Sequence, residues 1–93
     1  MDAKKARRNA KSSLTRRCNN LVRMIENNRP LEEVKEALNL VETDYKTAVT
    51  KHEELVEQID DEEYAKEETW IEDICERTLH LTFRAKDYIL KLQ

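Results

Sequence analysis

The absence of glycine is the feature that most limits what this chain can fold into. Its 93 residues contain no glycine, and Pro30 is the only proline, although ordinary usage would supply roughly six or seven glycines. Glycine adopts positive φ at little cost, so its absence disfavours tight hairpin turns, phosphate-binding loops and dinucleotide fingerprints. The chain therefore predicts an all-α fold, and its function is to be sought in assembly or binding.

Length and composition predict one small folded domain. A chain of this length buries about two-thirds of its unfolded surface, which leaves little room for a pocket. Charged residues make up 40% of the chain, yet Leu, Ile, Val and Phe still number 21, just above the level at which disorder is expected. We expect a thin core and modest stability.

Sequence signals for location and redox state are few. No segment approaches the length of a membrane span, and the residues after Met1 do not begin a signal peptide, so we predict a cytoplasmic protein. Cys18 and Cys75 match no metal or redox spacing. We expect both to be buried, reduced thiols.

The first apolar stripe has the spacing of a helix packed on a partner helix and consists of Leu14, Cys18, Leu21 and Ile25. Earlier residues in the same phase are basic, which predicts a basic N-terminal extension over 1–13, either a solvated helical extension or a loose arm. Helix 1 is then predicted over about 14–28. Pro30 ends it, because proline disfavours the α conformation at Arg29 and suits the first turn of the next helix.

The second stripe alternates steps of three and four residues without a slip. It comprises Leu31, Val34, Leu38, Val41, Tyr45, Ala48, His52, Leu55 and Ile59. This pattern predicts helix 2 over about 30–60, a length typical of coiled-coil elements. Only His52 breaks the apolar rule, and we interpret it as a partly exposed packing residue rather than a pH switch.

A change of phase predicts a third helix. Beyond Ile59 the second stripe would meet only polar residues, whereas the observed stripe comprises Ile71, Ile74, Thr78, Leu81, Ala85, Tyr88 and Leu92. Neither a stutter nor a stammer gives this shift, so we predict a turn near Asp60 and Asp61, with either aspartate capping helix 3 over about 62–92. Residues 14–93 should form an antiparallel helical hairpin or three-helix bundle with coiled-coil-like seams.

Helix 3 also carries apolar side chains away from its seam. They are Trp70, Leu79, Phe83, Ile89 and Leu90. A helix that is apolar nearly all round is either central in its bundle or docked on a second molecule. Both readings remain open, and the second makes these five residues a candidate oligomer interface.

Charge divides the chain into a basic start and an acidic middle. Residues 1–29 have a net charge of +7, and residues 30–68 a net charge of −10. The candidate contacts for nucleic acid or anionic lipid are Lys4, Lys5, Arg7, Arg8, Lys11, Arg16 and Arg17. No aromatic residue is interleaved among them, which removes base stacking and leaves a weak, salt-sensitive contact. Alternatively, these residues form a solubilising face that pairs with acidic helix 2.

The spacing of potential catalytic residues predicts that the chain is not an enzyme. His80 follows Glu76 by four residues rather than the three of a bundle metal site, and Asp60 to Glu63 lack the turn glycine of a calcium loop. Nothing in the sequence places Cys75 near a histidine. We therefore predict no catalytic residue, metal, cofactor or small-molecule substrate.

The chain resembles a known family over roughly residues 4 to 92. The likeness lies in the run from Lys11 to Arg17, the Leu31 to Tyr45 pattern, the acidic stretch at Asp60 and a closing helix from Ile71 to Leu92. Together these look like the N-terminal region of Gag polyproteins from BEL/Pao-type retrotransposons. That resemblance implies a structural segment upstream of a capsid portion, acting in particle assembly or in positioning the polyprotein.

We hypothesise that the chain is a structural assembly or interaction module of a Gag-like protein that self-associates through helix packing. The partner would be a second copy or another helical protein. The alternative is an electrostatic binder of nucleic acid or anionic membrane that uses the basic N-terminal helix.

Overall fold

Three α-helices account for nearly all of the chain. The computed structural model describes residues 2–93, with α1 at Ala3–Glu26, α2 at Leu31–Val56 and α3 at Asp61–Leu92. This part of the chain contains no strand, and the helices pack as an elongated bundle of 48 × 23 × 16 Å. The predicted all-α three-helix bundle is confirmed.

The turn between α1 and α2 requires a residue with positive φ, and asparagine rather than glycine provides it. Asn28 takes the left-handed conformation, with φ at 55°, a region that asparagine tolerates better than most residues. The amides of Asn28 and Arg29 donate to the carbonyls of Ile25 and Met24, which gives the hydrogen-bond pattern of a Schellman motif. Pro30 lies at the N-cap of α2, one residue before the helix, whereas the sequence predicts it within the first helical turn.

The predicted break between helices 2 and 3 is present. Helix α2 ends at Val56, somewhat before the predicted end at residue 60. Of the two candidate caps, Asp60 is the one used, because its carboxylate accepts from the Glu63 amide at 2.9 Å. Three acidic residues then follow in the first turn of α3, where the helix dipole favours negative charge.

The core is one cluster drawn from the three stripes, with Ala37 of α2 in addition. Its buried members are Leu14, Leu21, Ile25, Val34, Ala37, Leu38, Val41, Ala48, Ile74, Leu81 and Ala85. Contacts between α1 and α2 are much more extensive than those of α3 with either helix. The molecule is therefore a tight α1–α2 hairpin on which a longer third helix lies.

Helix α1 includes most of the predicted N-terminal extension. Of the two alternatives for residues 1–13, the helical one is found from Ala3 onward, because Asp2 caps the helix by accepting from the Lys5 amide at 3.1 Å. Ala10 packs against the core, and the side chain of Arg7 is only 11% exposed. The extension is therefore part of the bundle rather than solvated or a loose arm; Met1 lies outside the described residues.

The two cysteines differ from the expectation of buried thiols. Cys18 is half-buried and Cys75 is exposed, and both are free. Burial, with a smaller contribution from the Asp44 carboxylate, raises the pKa of the Cys18 thiol, which disfavours the reactive thiolate.

Candidate interaction surfaces

The outward face of α3 carries a stripe with no partner in the bundle. We call it the outer stripe; it comprises Glu72, Glu76, Leu79, Phe83, Lys86 and Leu90. Leu79, Phe83 and Leu90 are 48%, 61% and 70% exposed, which is unusual for large apolar side chains on one helical face. Ile74, Thr78, Leu81 and Ala85 bury the opposite face of the same helix, so the outer stripe points away from the core.

Two residues of the predicted interface lie elsewhere. Trp70 and Ile89 are partly buried and pack against the core of their own chain. Their positions flank the seam closely enough for α1 and α2 to cover them. They are therefore removed from the candidate interface, which keeps Leu79, Phe83 and Leu90.

Trp70 instead belongs to a cluster that joins all three helices. The His52 ring from α2 stacks on Trp70 with a centroid separation of 5.3 Å and an interplanar angle of 8°. The Arg7 guanidinium from α1 lies 4.4 Å from the Trp70 centroid, and Lys11 Nζ lies 5.9 Å from it. Arg7 Nη1 also pairs with Glu67 Oε2 of α3 at 2.6 Å.

The position of Arg7 favours the neutral form of His52 in this cluster. Arg7 Nη1 lies 3.4 Å from His52 Nδ1, and because a guanidinium can only donate, Nδ1 must accept and the ring proton lies on Nε2. His52 is 5% exposed, so it is buried rather than partly exposed as expected. Burial and then the charge of Arg7 lower the pKa of His52, whereas the carboxylates of Glu67 and Glu53 oppose that shift.

The basic candidates of α1 divide into two groups. Arg7 pairs with Glu67 in the Trp70 cluster, and its Nε is buried without a hydrogen-bond partner. Its guanidinium is therefore not free to contact a phosphate. Arg17 lies on an exposed surface with its Nε 3.6 Å from Asp44 of α2. The other candidates, all exposed, are Lys4, Lys5, Arg8, Lys11 and Arg16.

Trp70 lies beside these cations, although the sequence places no aromatic residue among them. A surface concavity of about 330 Å³ is lined by Lys4, Arg7, Arg8, Lys11 and Trp70. The ring of Trp70 already contacts Arg7, Lys11 and His52, so a nucleic-acid base would have to displace one of them to stack. The concavity therefore offers positive charge without a free aromatic platform.

The described residues place no three potential ligands together as a metal site. None of the three helices within residues 2–93 has the length and apolar character needed to cross a bilayer. The chain matches no family model, no curated protein and no solved structure.

Sequence reasoning missed Glu67 and the charged members of the outer stripe. Glu67 gives no local signal, because its partner Arg7 lies on another helix far away in sequence. Glu72, Glu76 and Lys86 could have been found, since they continue the spacing of Leu79, Phe83 and Leu90 by steps of three and four.

Proposed function

We propose that this chain is a structural assembly module that self-associates through the outer stripe of α3. The observation that carries the proposal is the alignment of Leu79, Phe83 and Leu90, all at least 48% exposed, on the face opposite the core. Covering such a stripe removes apolar surface from water, which is the main favourable term in protein association. In the setting that the sequence resemblance implies, the module would act within a Gag-like polyprotein.

The shape of the bundle supports this role. Helix α3 exceeds α1 and α2 in length, and its outer stripe extends for about 27 Å at 1.5 Å per residue. An exposed helical stripe of this kind suits docking on another helix. A helical partner is therefore favoured over a small molecule.

Electrostatic binding through α1 is the weaker proposal. It rests on the exposed cations around the concavity, chiefly Lys4, Arg8 and Lys11. Because Arg7 is neutralised by Glu67, the cation cluster is smaller than the sequence indicates. Contacts to phosphates or anionic lipids would be salt-sensitive and would carry no sequence preference.

Replacing Phe83 with glutamate tests the assembly function. Phe83 lies near the middle of the outer stripe, where an aromatic residue typically contributes about 2 kcal/mol or more to association. We expect sedimentation equilibrium to give a dimer or larger assembly for the wild type and a shift towards monomer for Phe83→Glu. Far-ultraviolet circular dichroism should be unchanged, because glutamate favours a helix and the position is exposed.

Tyr64→Glu is the matched control. Tyr64 is an exposed aromatic residue of α3 that lies outside the outer stripe, so its replacement should leave the mass unchanged. A wild-type chain that stays monomeric up to millimolar concentration would refute the proposed function. So would an assembly that is equally insensitive to both substitutions.

A further inference from the structure

The outer stripe has a repeat that suits pairing of two helices. Its members, Glu72, Glu76, Leu79, Phe83, Lys86 and Leu90, are separated by four, three, four, three and four residues. This alternation is the heptad spacing of a coiled-coil seam. All six side chains are exposed, so no other helix of the chain already occupies the seam.

The four inner positions of the stripe, from Glu76 to Lys86, are complementary to their own reverse. Two copies of α3 placed antiparallel about Leu81 bring Leu79 of one copy opposite Phe83 of the other. The same arrangement brings Glu76 opposite Lys86, on both sides of the apolar centre. A parallel arrangement would instead place Glu76 opposite Glu76 and Lys86 opposite Lys86.

The charges along α3 favour the same direction. In the antiparallel register about Leu81, residues 69–93 of the two copies lie side by side. Residues 69–76 contain three acidic side chains and no basic one, whereas residues 86–93, which lie opposite them, contain two lysines and one aspartate. Parallel helices would instead bring segments of like charge together, which is unfavourable.

Glu76 and Lys86 are available for such contacts. Neither side chain takes part in an ion pair within residues 2–93, although six pairs form elsewhere in that part of the chain. Both are exposed and lie on the face that carries Leu79 and Phe83.

We infer that the partner of the outer stripe is a second copy of this chain, bound with the two α3 helices antiparallel and with Glu76 of each copy paired to Lys86 of the other. The inference rests on the proposed function and adds the partner's identity, direction and register. The interface is isologous, so each contact occurs twice and the assembly closes as a dimer. Its centre is apolar, with Leu79 and Phe83 from both copies, and the Glu76–Lys86 pairs flank this centre. Beyond each pair, Leu90 lies opposite Glu72 of the other copy.

Single and double charge reversals test this register. Glu76→Lys places two lysines opposite each other at both ends of the interface, and Lys86→Glu does the same with two glutamates. We expect each single reversal to raise the dimer dissociation constant about tenfold at low ionic strength, where screening is weak. The double variant, Glu76→Lys with Lys86→Glu, should return to within about threefold of the wild type because both opposite-charge pairs are restored.

Two reversals outside α3 control for the change in net charge. Glu36→Lys on α2 and Arg23→Glu on α1 alter exposed residues that form no ion pair within the described chain. Neither should change the dissociation constant as the α3 reversals do. All variants are compared by sedimentation equilibrium over a concentration series.

The outcomes separate the register from the function. A wild-type dimer that Phe83→Glu dissociates, but that the single reversals leave unchanged or the double reversal fails to restore, would overturn the antiparallel register and leave the assembly function standing. A wild-type monomer at millimolar concentration would overturn both. Rescue in the double variant supports the antiparallel pair, because a parallel pair gains no opposite-charge contact from that exchange.

Discussion

At the scale of single residues, the cluster around Trp70 combines a histidine, an arginine and a carboxylate that come from three different helices. The neutral His52 ring accepts a hydrogen bond from Arg7 at Nδ1. Protonation of Nδ1 would therefore place two positive charges side by side. The charged groups that act on His52 come from every helix: Arg7 from α1, Glu53 from α2 and Glu67 from α3. Burial and Arg7 outweigh the two carboxylates, and the pKa of His52 lies below its ordinary value of 6.5.

This lowered pKa predicts a stability that depends on pH. Between the folded pKa and 6.5 the unfolded chain binds a proton at His52 that the folded chain does not, so the free energy of unfolding decreases as the pH falls through 6.5. The slope from one such group is at most about 1.4 kcal/mol per pH unit. Urea unfolding of the wild type and of His52→Phe, which keeps an aromatic ring beside Trp70 but cannot titrate, measures the effect. Equal slopes for the two proteins in this range would contradict the assignment.

At the scale of helices, the start of α3 depends on one hydrogen bond. Asp60 caps the helix through the Glu63 amide, whereas Asp61 is already the first helical residue. Asp60→Ala should lower the free energy of unfolding by about 1 kcal/mol, as loss of an N-cap usually does. Asp61→Ala is the control, and thermal unfolding should give it the smaller loss. A larger loss for Asp61→Ala would mean that first-turn charge, not the cap, fixes this end.

The helices differ in how far their positions follow from the sequence. The break at Asp60 is predictable, because a change in the phase of apolar residues is visible locally as the second stripe gives way to the third. The turn at Asn28 is similarly marked by Pro30 two residues later. The packing of the N-terminal part of α1 in the bundle is not predictable in this way, because Arg7 is held by His52, 45 residues further along the chain, and by Glu67. A basic residue in a polar stretch looks solvated until the fold supplies its partners.

The candidate interface also contains residues whose exposure follows from the sequence and residues whose exposure does not. Leu79, Phe83 and Leu90 are predicted to lie outside the seam of their helix, and the structure leaves them exposed. Trp70 and Ile89 share that apolar character, but they lie near enough to the seam for neighbouring helices to cover them. Helical phase alone does not decide such borderline positions, because the diameter and tilt of the neighbouring helices determine how much of each flank is buried.

At the scale of the whole molecule, α3 is held differently from the other two helices. The α1–α2 hairpin is joined along its length by apolar contacts and by Asp44, which accepts from Ser13 at 2.6 Å. Helix α3 packs less extensively, and polar contacts fasten it near both ends: Glu67 pairs with Arg7, and the Tyr88 hydroxyl donates to the Arg29 carbonyl at 2.7 Å. This arrangement allows α3 to open from the hairpin before the hairpin itself unfolds.

Removing one of these polar contacts should therefore loosen α3 selectively. Glu67→Gln leaves the Arg7 charge partly buried without its carboxylate partner, which we expect to cost about 1–2 kcal/mol. Amide hydrogen exchange at concentrations where the chain is monomeric should become faster in the first half of α3. Protection around Val34 and Val41, both fully buried in the hairpin, should change little. An equal loss of protection in all three helices would instead mean that the bundle opens as one cooperative unit, and the outer stripe would then be presented only by the complete fold.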